Sequence, residues 1–284
     1  MTASVLAAVG AVSMGLDLLF FLSLAVKMAV TALFVVVATF AAERAGAVVG
    51  AMIATLPIAA GPAYVFLALE HDARFIADSA LASLVVNAAN CAFALVYVLM
   101  AQRNGLLASV AAAFAAWLAF ASAARVVSWT TAGAFVFNIA VLSSCLALGN
   151  RLRHVRMPLT IQRWYDIPMR AGMVAVLIAL VVGLSTRVGP TITGILAVFP
   201  IVLLSLMLIL HPRIGGPATA AVLSNSMLGL VGFSFTCLTA RLTVPLLGTA
   251  AGLTLALGVS IGCNLAFWWV RRAKPVPAIS SPPP

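Results

Sequence analysis

The chain is a succession of apolar runs of about 20 residues, and few folds can absorb such runs. A run of that length crosses a hydrocarbon core of about 30 Å as a helix. Residues of the AVILMFWYC class make up 64% of the chain and charged residues 8%. Soluble globular domains hold about 45–50% and about 25%. The runs do not alternate apolar and polar positions, as the strands of a transmembrane barrel do. The expectation is an all-α, polytopic integral membrane protein. Spans are expected near 21–42, 47–69, 75–101, 105–124, 129–149, 168–186, 191–210, 215–239 and 245–270, which makes nine. Residues 1–20 are an apolar segment that adds a tenth if it forms its own helix.

One stretch occurs twice. Lys27 to Pro57 recurs as Arg170 to Pro200, with Lys27/Arg170, Arg44/Arg187, Gly46/Gly189 and Pro57/Pro200 all 143 positions apart and no gap needed. This spacing reads as an internal duplication. The first repeat covers 21–149 with five spans. A basic loop at 150–167 follows, then a second repeat over 168–270 with four spans. The tail at 271–284 ends in Ser-Ser-Pro-Pro-Pro and is expected to be disordered. Five spans separate the starts of the two copies, so the copies run in opposite directions and the repeat is inverted, an architecture of many secondary transporters. The extra span of the first half is expected near 105–124.

The net charge of +10 points to topology rather than nucleic acid, because the bases sit at helix ends and in one loop. Cytoplasmic loops carry an excess of Lys and Arg. With 150–167 and the C-terminus in the cytoplasm, eleven bases fall on that side and five on the other. A cytoplasmic C-terminus is therefore expected. No Lys or Arg precedes the first apolar run, so a cleaved signal peptide is not expected. Cys91, Cys145, Cys237 and Cys263 stand singly, which supports neither a metal site nor a disulfide framework. No cofactor is expected.

The candidate site is a set of residues that are costly inside a membrane. Pro57 and Pro200 fall near the middle of their spans, where proline frees a carbonyl and kinks the helix. Such breaks aim backbone dipoles at a solute; the bland alternative is a packing kink. Asn87 and Asn90 in the third span, Asn138 in the fifth and Asn225 in the eighth need partners in helices, water or solute. Asn87 and Asn225 lie in corresponding helices and are expected to meet near the axis relating the halves. Thr55, Thr191 and Thr193 are weaker candidates. Lys27 and Arg170 sit near their helix starts, as anion-attracting charges at two mouths or as snorkelling anchors. Gly248, Gly252, Ala256, Ser260 and Asn264 form a small-residue stripe, a packing face or a homodimer face. The acids are few and none is central in a span. An enzyme would need an interfacial cluster, for which His71, Asp72 and His211 are the only suggestion.

The segment Gly183 to Phe233 holds Phe199-Pro200 and a polar His211-to-Gly216 loop before the next helix. In this it resembles the small four-span GlpM-like inner-membrane proteins. The resemblance covers about 100 residues of the second half, and the first half has Leu56-Pro57 in place of Phe-Pro. It implies a bacterial inner membrane and an association with envelope polysaccharide production. In outline, the duplicated arrangement is also similar to the drug/metabolite carriers. The expected function is secondary, ATP-independent transport of a small anionic or neutral polar metabolite by alternating access. The bilayer and the solute are the expected partners, and the site comprises Thr55, Pro57, Asn87, Asn90, Pro200, Asn225, Lys27 and Arg170. The alternative is a non-transporting scaffold or accessory protein for envelope biogenesis.

Overall fold

The computed structural model describes residues 2–44, 59–152 and 163–272. Gly46, Thr55, Pro57, most of the basic loop and the tail beyond 272 lie outside the described residues. Those described form eight α-helices and one short 3-10 turn at Asn150–Leu152, with no strand among them. The helices are α1 (Thr2–Arg44), α2 (Ala60–Glu70), α3 (Ala73–Met100), α4 (Leu106–Val126), α5 (Thr131–Gly149), α6 (Asp166–Ala197), α7 (Ile201–Leu247) and α8 (Thr249–Arg272). Seven of them are long and apolar enough to cross a membrane, and α2 is a shorter apolar helix. Residues 2–20 make no separate helix; they continue into α1.

Helix α3 sits at the centre. It packs against α4, α5, α6 and α7, and its most extensive contact is with α7. Its small residues permit this, since Ala77, Ala80, Ala88, Ala89 and Ala94 are all buried and let neighbours approach closely. Its start is fixed by Asp72, whose carboxylate accepts from the Phe75 N–H at 2.8 Å. Thr130 caps α5 in the same way, accepting from the Gly133 N–H at 3.1 Å. Each cap satisfies a backbone donor that the helix leaves unpaired.

Two of the long helices are not continuous. Gly189 (φ 73°) breaks α6, and Gly215 (φ 78°) breaks α7. Glycine alone enters such backbone regions without steric cost. Between these breaks lie two helical arms, 190–197 and 201–214, separated at Val198, Phe199 and Pro200. The expected single span at 191–210 is therefore two half-helices. Pro200 does not kink a continuous helix. It has no N–H to continue the ladder, Phe199 N–H turns back to Leu196 O (3.0 Å), and helix resumes at Ile201.

The broken segment still traverses the bundle beside α3. Ser79 donates to Pro190 O (3.1 Å), Ser83 to Gly194 O (2.7 Å) and Asn90 to Val198 O (2.8 Å), while Tyr97 OH and His211 Nδ1 share a hydrogen bond of 2.7 Å. Both numberings rise together, so the two segments run parallel. From Ser79 to Tyr97 the helix rises about 27 Å at about 1.5 Å per residue, which is the thickness of a hydrocarbon core. By contrast, the 216–247 part of α7 crosses α3 antiparallel. Ala101 meets Gly216, Asn87 meets Leu230 and Asp78 meets Arg241.

Candidate functional site

The site is built on one face of α3. Ser79, Ser83 and Asn87 recur at four-residue spacing, with Asn90 a turn further, and all four are buried. Ser83 Oγ accepts from Tyr64 OH (2.7 Å) while donating to Gly194 O. Asn90 acts twice: its Nδ2 holds Val198 O at the break, and its Oδ1 accepts from Trp117 Nε1 at 2.8 Å. Trp117 in turn packs edge-on against Phe199, with ring centroids 5.0 Å apart. The carbonyl released by the break is thus caught by a side chain more than a hundred positions away. An uncaught buried carbonyl would cost about 1–3 kcal/mol. At Gly194, a Cβ would overlap the Ser79 carbonyl oxygen, so glycine is what allows the 190–197 arm to lie so close.

The amides expected to form the site separate. Asn87 donates to Leu230 O (2.8 Å) and Ser234 Oγ (3.0 Å), and Ser234 donates to Asn138 Oδ1 (2.7 Å). Asn138 also donates to Leu84 O. These residues tie α3, α5 and α7 together. Asn225 is not among them. It donates to Ala221 O of its own helix (2.9 Å), so the expected meeting of Asn87 with Asn225 does not occur. The small-residue stripe of α8 is also reassigned. Ala256, Ser260 and Asn264 are buried within the chain, and the Cβ of Cys263 closes over Gly232 of α7. Apart from exposed Gly248, this stripe is an internal packing face, closed to a second copy.

The predicted mouth residues lie at the bundle ends. Lys27 pairs with Glu70. Arg170 acts electrostatically on Asp166, which accepts both guanidinium nitrogens of Arg213. Beside them, Arg163 donates to Tyr165 OH at 2.9 Å and, with Arg213, holds that phenol below its ordinary range. His71 bonds Ser185 (2.8 Å) at the Ser79 end of α3, and His211 bonds Tyr97 at the opposite end. The His71, Asp72 and His211 cluster that an enzyme would need does not form.

A cavity of about 280 Å³ opens at the Ser79 end of α3. Its mouth carries Asp78, Arg125, Ser128, Trp129 and Thr191, and its floor Val85, Val86 and Ile195. Asp78 is already neutralised by Arg241, at 2.5 Å. The first residues of the 190–197 arm, Pro190 and Thr191, line the same space. From Asp78 to Val86 the cavity descends about 12 Å along α3, and Ile195 on its floor is one turn short of the Val198–Pro200 break. Sequence reasoning missed Ser79, Ser83, Ser234, Arg125 and Trp117. The i, i+4, i+8 polar stripe on α3 was the signal available for the first two; Arg125 and Trp117 had none.

This combination defines the class: among the described residues, an all-helical fold with seven helices long and apolar enough to cross a membrane, a traverse broken at Val198–Pro200 and a cavity whose floor at Ile195 lies one turn from that break. No protein-family model matches the chain, and no curated protein or solved structure matches it.

Proposed function

We propose that the chain is a secondary transporter of the bacterial inner membrane, carrying a small organic solute by alternating access between two inverted repeats. The observation that carries this reading is the traverse broken at Val198–Pro200, approached from the Ser79 end of α3 by a cavity whose floor includes Ile195. Broken helices at mid-depth, with their ends turned to a solute, are the working parts of many carriers.

The inverted repeat is supported by helix positions. Shifted by 143 positions, α2 falls within the 201–214 arm, α3 falls on 216–243 and α4 on 249–269. The antiparallel crossing joins Asn87 to Leu230, which are corresponding positions. On this alignment the extra span is α5, not the one near 105–124. The ends fit as well. Lys27 and Glu70 correspond to Arg170 and Arg213, and both sets are engaged in charge clusters at opposite ends. These are natural closures for the two states. The GlpM-like resemblance and the charge bias support the bacterial setting and the cytoplasmic C-terminus. The scaffold alternative is weakened, because the face it would use is buried.

The test is flux in proteoliposomes with a panel of organic anions and polar metabolites, comparing wild type with Pro200→Ala. Saturable exchange of at least one solute, reduced about tenfold or more (about 1.4 kcal/mol in the barrier) by Pro200→Ala in folded protein, is expected. Absence of flux for every solute under proton and sodium gradients of either sign would sink the transporter reading.

A further inference from the structure

The cavity beside α3 has a chemistry of its own. Its walls below the mouth are apolar: Leu81, Ala82, Val85, Val86, Ala124 and Ile195. A polar solute body there would lose its hydrogen bonds with water and gain none. The mouth is different. Asp78 and Arg241 cancel one another. Arg125 forms no ion pair or hydrogen bond among the described residues, and it is exposed at the rim. Ser128 and Thr191 add hydroxyls beside it. The 190–197 arm begins at the same rim, so its unpaired N–H groups contribute the positive end of a helix dipole.

We infer that this cavity is a binding site for a small monocarboxylate with an apolar body. The carboxylate pairs with Arg125 and the rim hydroxyls, and the hydrocarbon enters the slot between α3, α4 and the 190–197 arm. One guanidinium matches one carboxylate through two parallel hydrogen bonds. A dicarboxylate or a doubly charged phosphate would leave one charge uncompensated above an apolar floor. At about 280 Å³ the cavity falls just below the range of about 300–1,000 Å³ typical of drug-sized ligands, which limits the ligand to about ten heavy atoms. This deepens the transporter reading, since it names the class of solute loaded at the open end. The binding itself is measurable without flux.

Equilibrium dialysis of the purified full chain in neutral detergent, against protein-free micelles, tests it. The probe is radiolabelled 4-methylpentanoate. Competitors are 4-methylpentanamide, acetate, succinate and decanoate. The expected result is saturable binding, displaced by the amide, acetate and succinate only at concentrations about tenfold higher or more, a gap worth one decade of affinity. Arg125→Gln should weaken binding about tenfold or more, Arg125→Lys about threefold or less, and Ala82→Phe, which fills the slot, should abolish it. Because Arg125 is exposed, its variants should elute and melt as wild type, so the test stands even if Ala82→Phe fails to fold. No saturable binding, an amide that competes equally, or indifference to Arg125→Gln overturns the proposal. Decanoate binding about tenfold tighter also overturns it, in favour of a lipid chain lying along the bilayer-facing side. Binding without flux would sink the carrier reading and keep the site. Flux of an unrelated solute without this binding would do the reverse.

Discussion

At the residue scale, the informative side chain is Asn90. It is buried and spends both ends of its amide, one on Val198 O and one on Trp117 Nε1. Asn90→Leu keeps the branching of the side chain and strands both partners, so a loss of about 2–6 kcal/mol is expected, at about 1–3 kcal/mol per unpaired group. Trp117→Phe in the same chain should recover part of it, because one stranded donor is then gone. Unfolding of the single and double variants in detergent measures the coupling; strictly additive losses would mean that the bond contributes nothing. The sequence made Asn90 visible as a buried amide but not its partners, which sit on α4 and in the break. Asn225 shows the opposite failure. An amide in an apolar run reads as needing help, yet one carbonyl of its own helix was enough.

At the element scale, three glycines of α7 distinguish reasons that composition blurs. Gly215 has φ 78° and open space around a Cβ; Gly216 is helical, but a Cβ there would overlap the Ala101 carbonyl oxygen; Gly229 is helical with nothing near. Gly215→Ala should cost about 1–3 kcal/mol as backbone strain. Gly216→Ala should cost about 1–3 kcal/mol or more as overpacking that pushes α7 off α3. Gly229→Ala should be neutral or stabilise by up to about 1 kcal/mol. Tm values in detergent rank them, and a Gly229→Ala variant as unstable as Gly216→Ala would contradict the packing described. Helix positions were largely legible: 75–101, 105–124 and 129–149 were expected where α3, α4 and α5 lie. The breaks were less so. A proline inside an apolar run marks a disturbance. Whether helix bends or stops there depends on what receives the freed carbonyl, and that receiver is on another helix.

At the scale of the whole molecule, the hydrogen bonds fix which helix ends lie together. Asp78 with Arg241 and His71 with Ser185 belong to one end; Tyr97 with His211 and Asp166 with Arg213 belong to the other. The connection after α3 therefore lies opposite the connection after α4. In a Cys263→Ser background, with the remaining cysteines buried, a membrane-impermeant maleimide applied to right-side-out vesicles should label Ser128→Cys and not Asn104→Cys. Labelling of Asn104→Cys alone would reverse the proposed orientation, and equal labelling of both would contradict the traverse. The seven helices of crossing length were legible because their apolar runs are long enough to cross, whereas the run at 191–210 folds as two half-helices. The cavity was not, because its lining comes from three helices and a loop.

The antiparallel crossing of α3 and α7 has one more consequence. Under the proposed duplication, its central bond, from Asn87 to Leu230, joins corresponding positions of the two halves, and the largest helix contact among the described residues lies between them. An interface of that kind is isologous, the type by which two identical subunits assemble. Here the partners share one covalent chain, so each always meets the other and assembly owes nothing to the number of copies present. The covalent link also frees the halves to diverge. Only one carries Asn90 and only one carries Arg125, since Phe233 and Trp268 stand at the corresponding positions, and the molecule gains a head and a foot that a true dimer is forbidden to have.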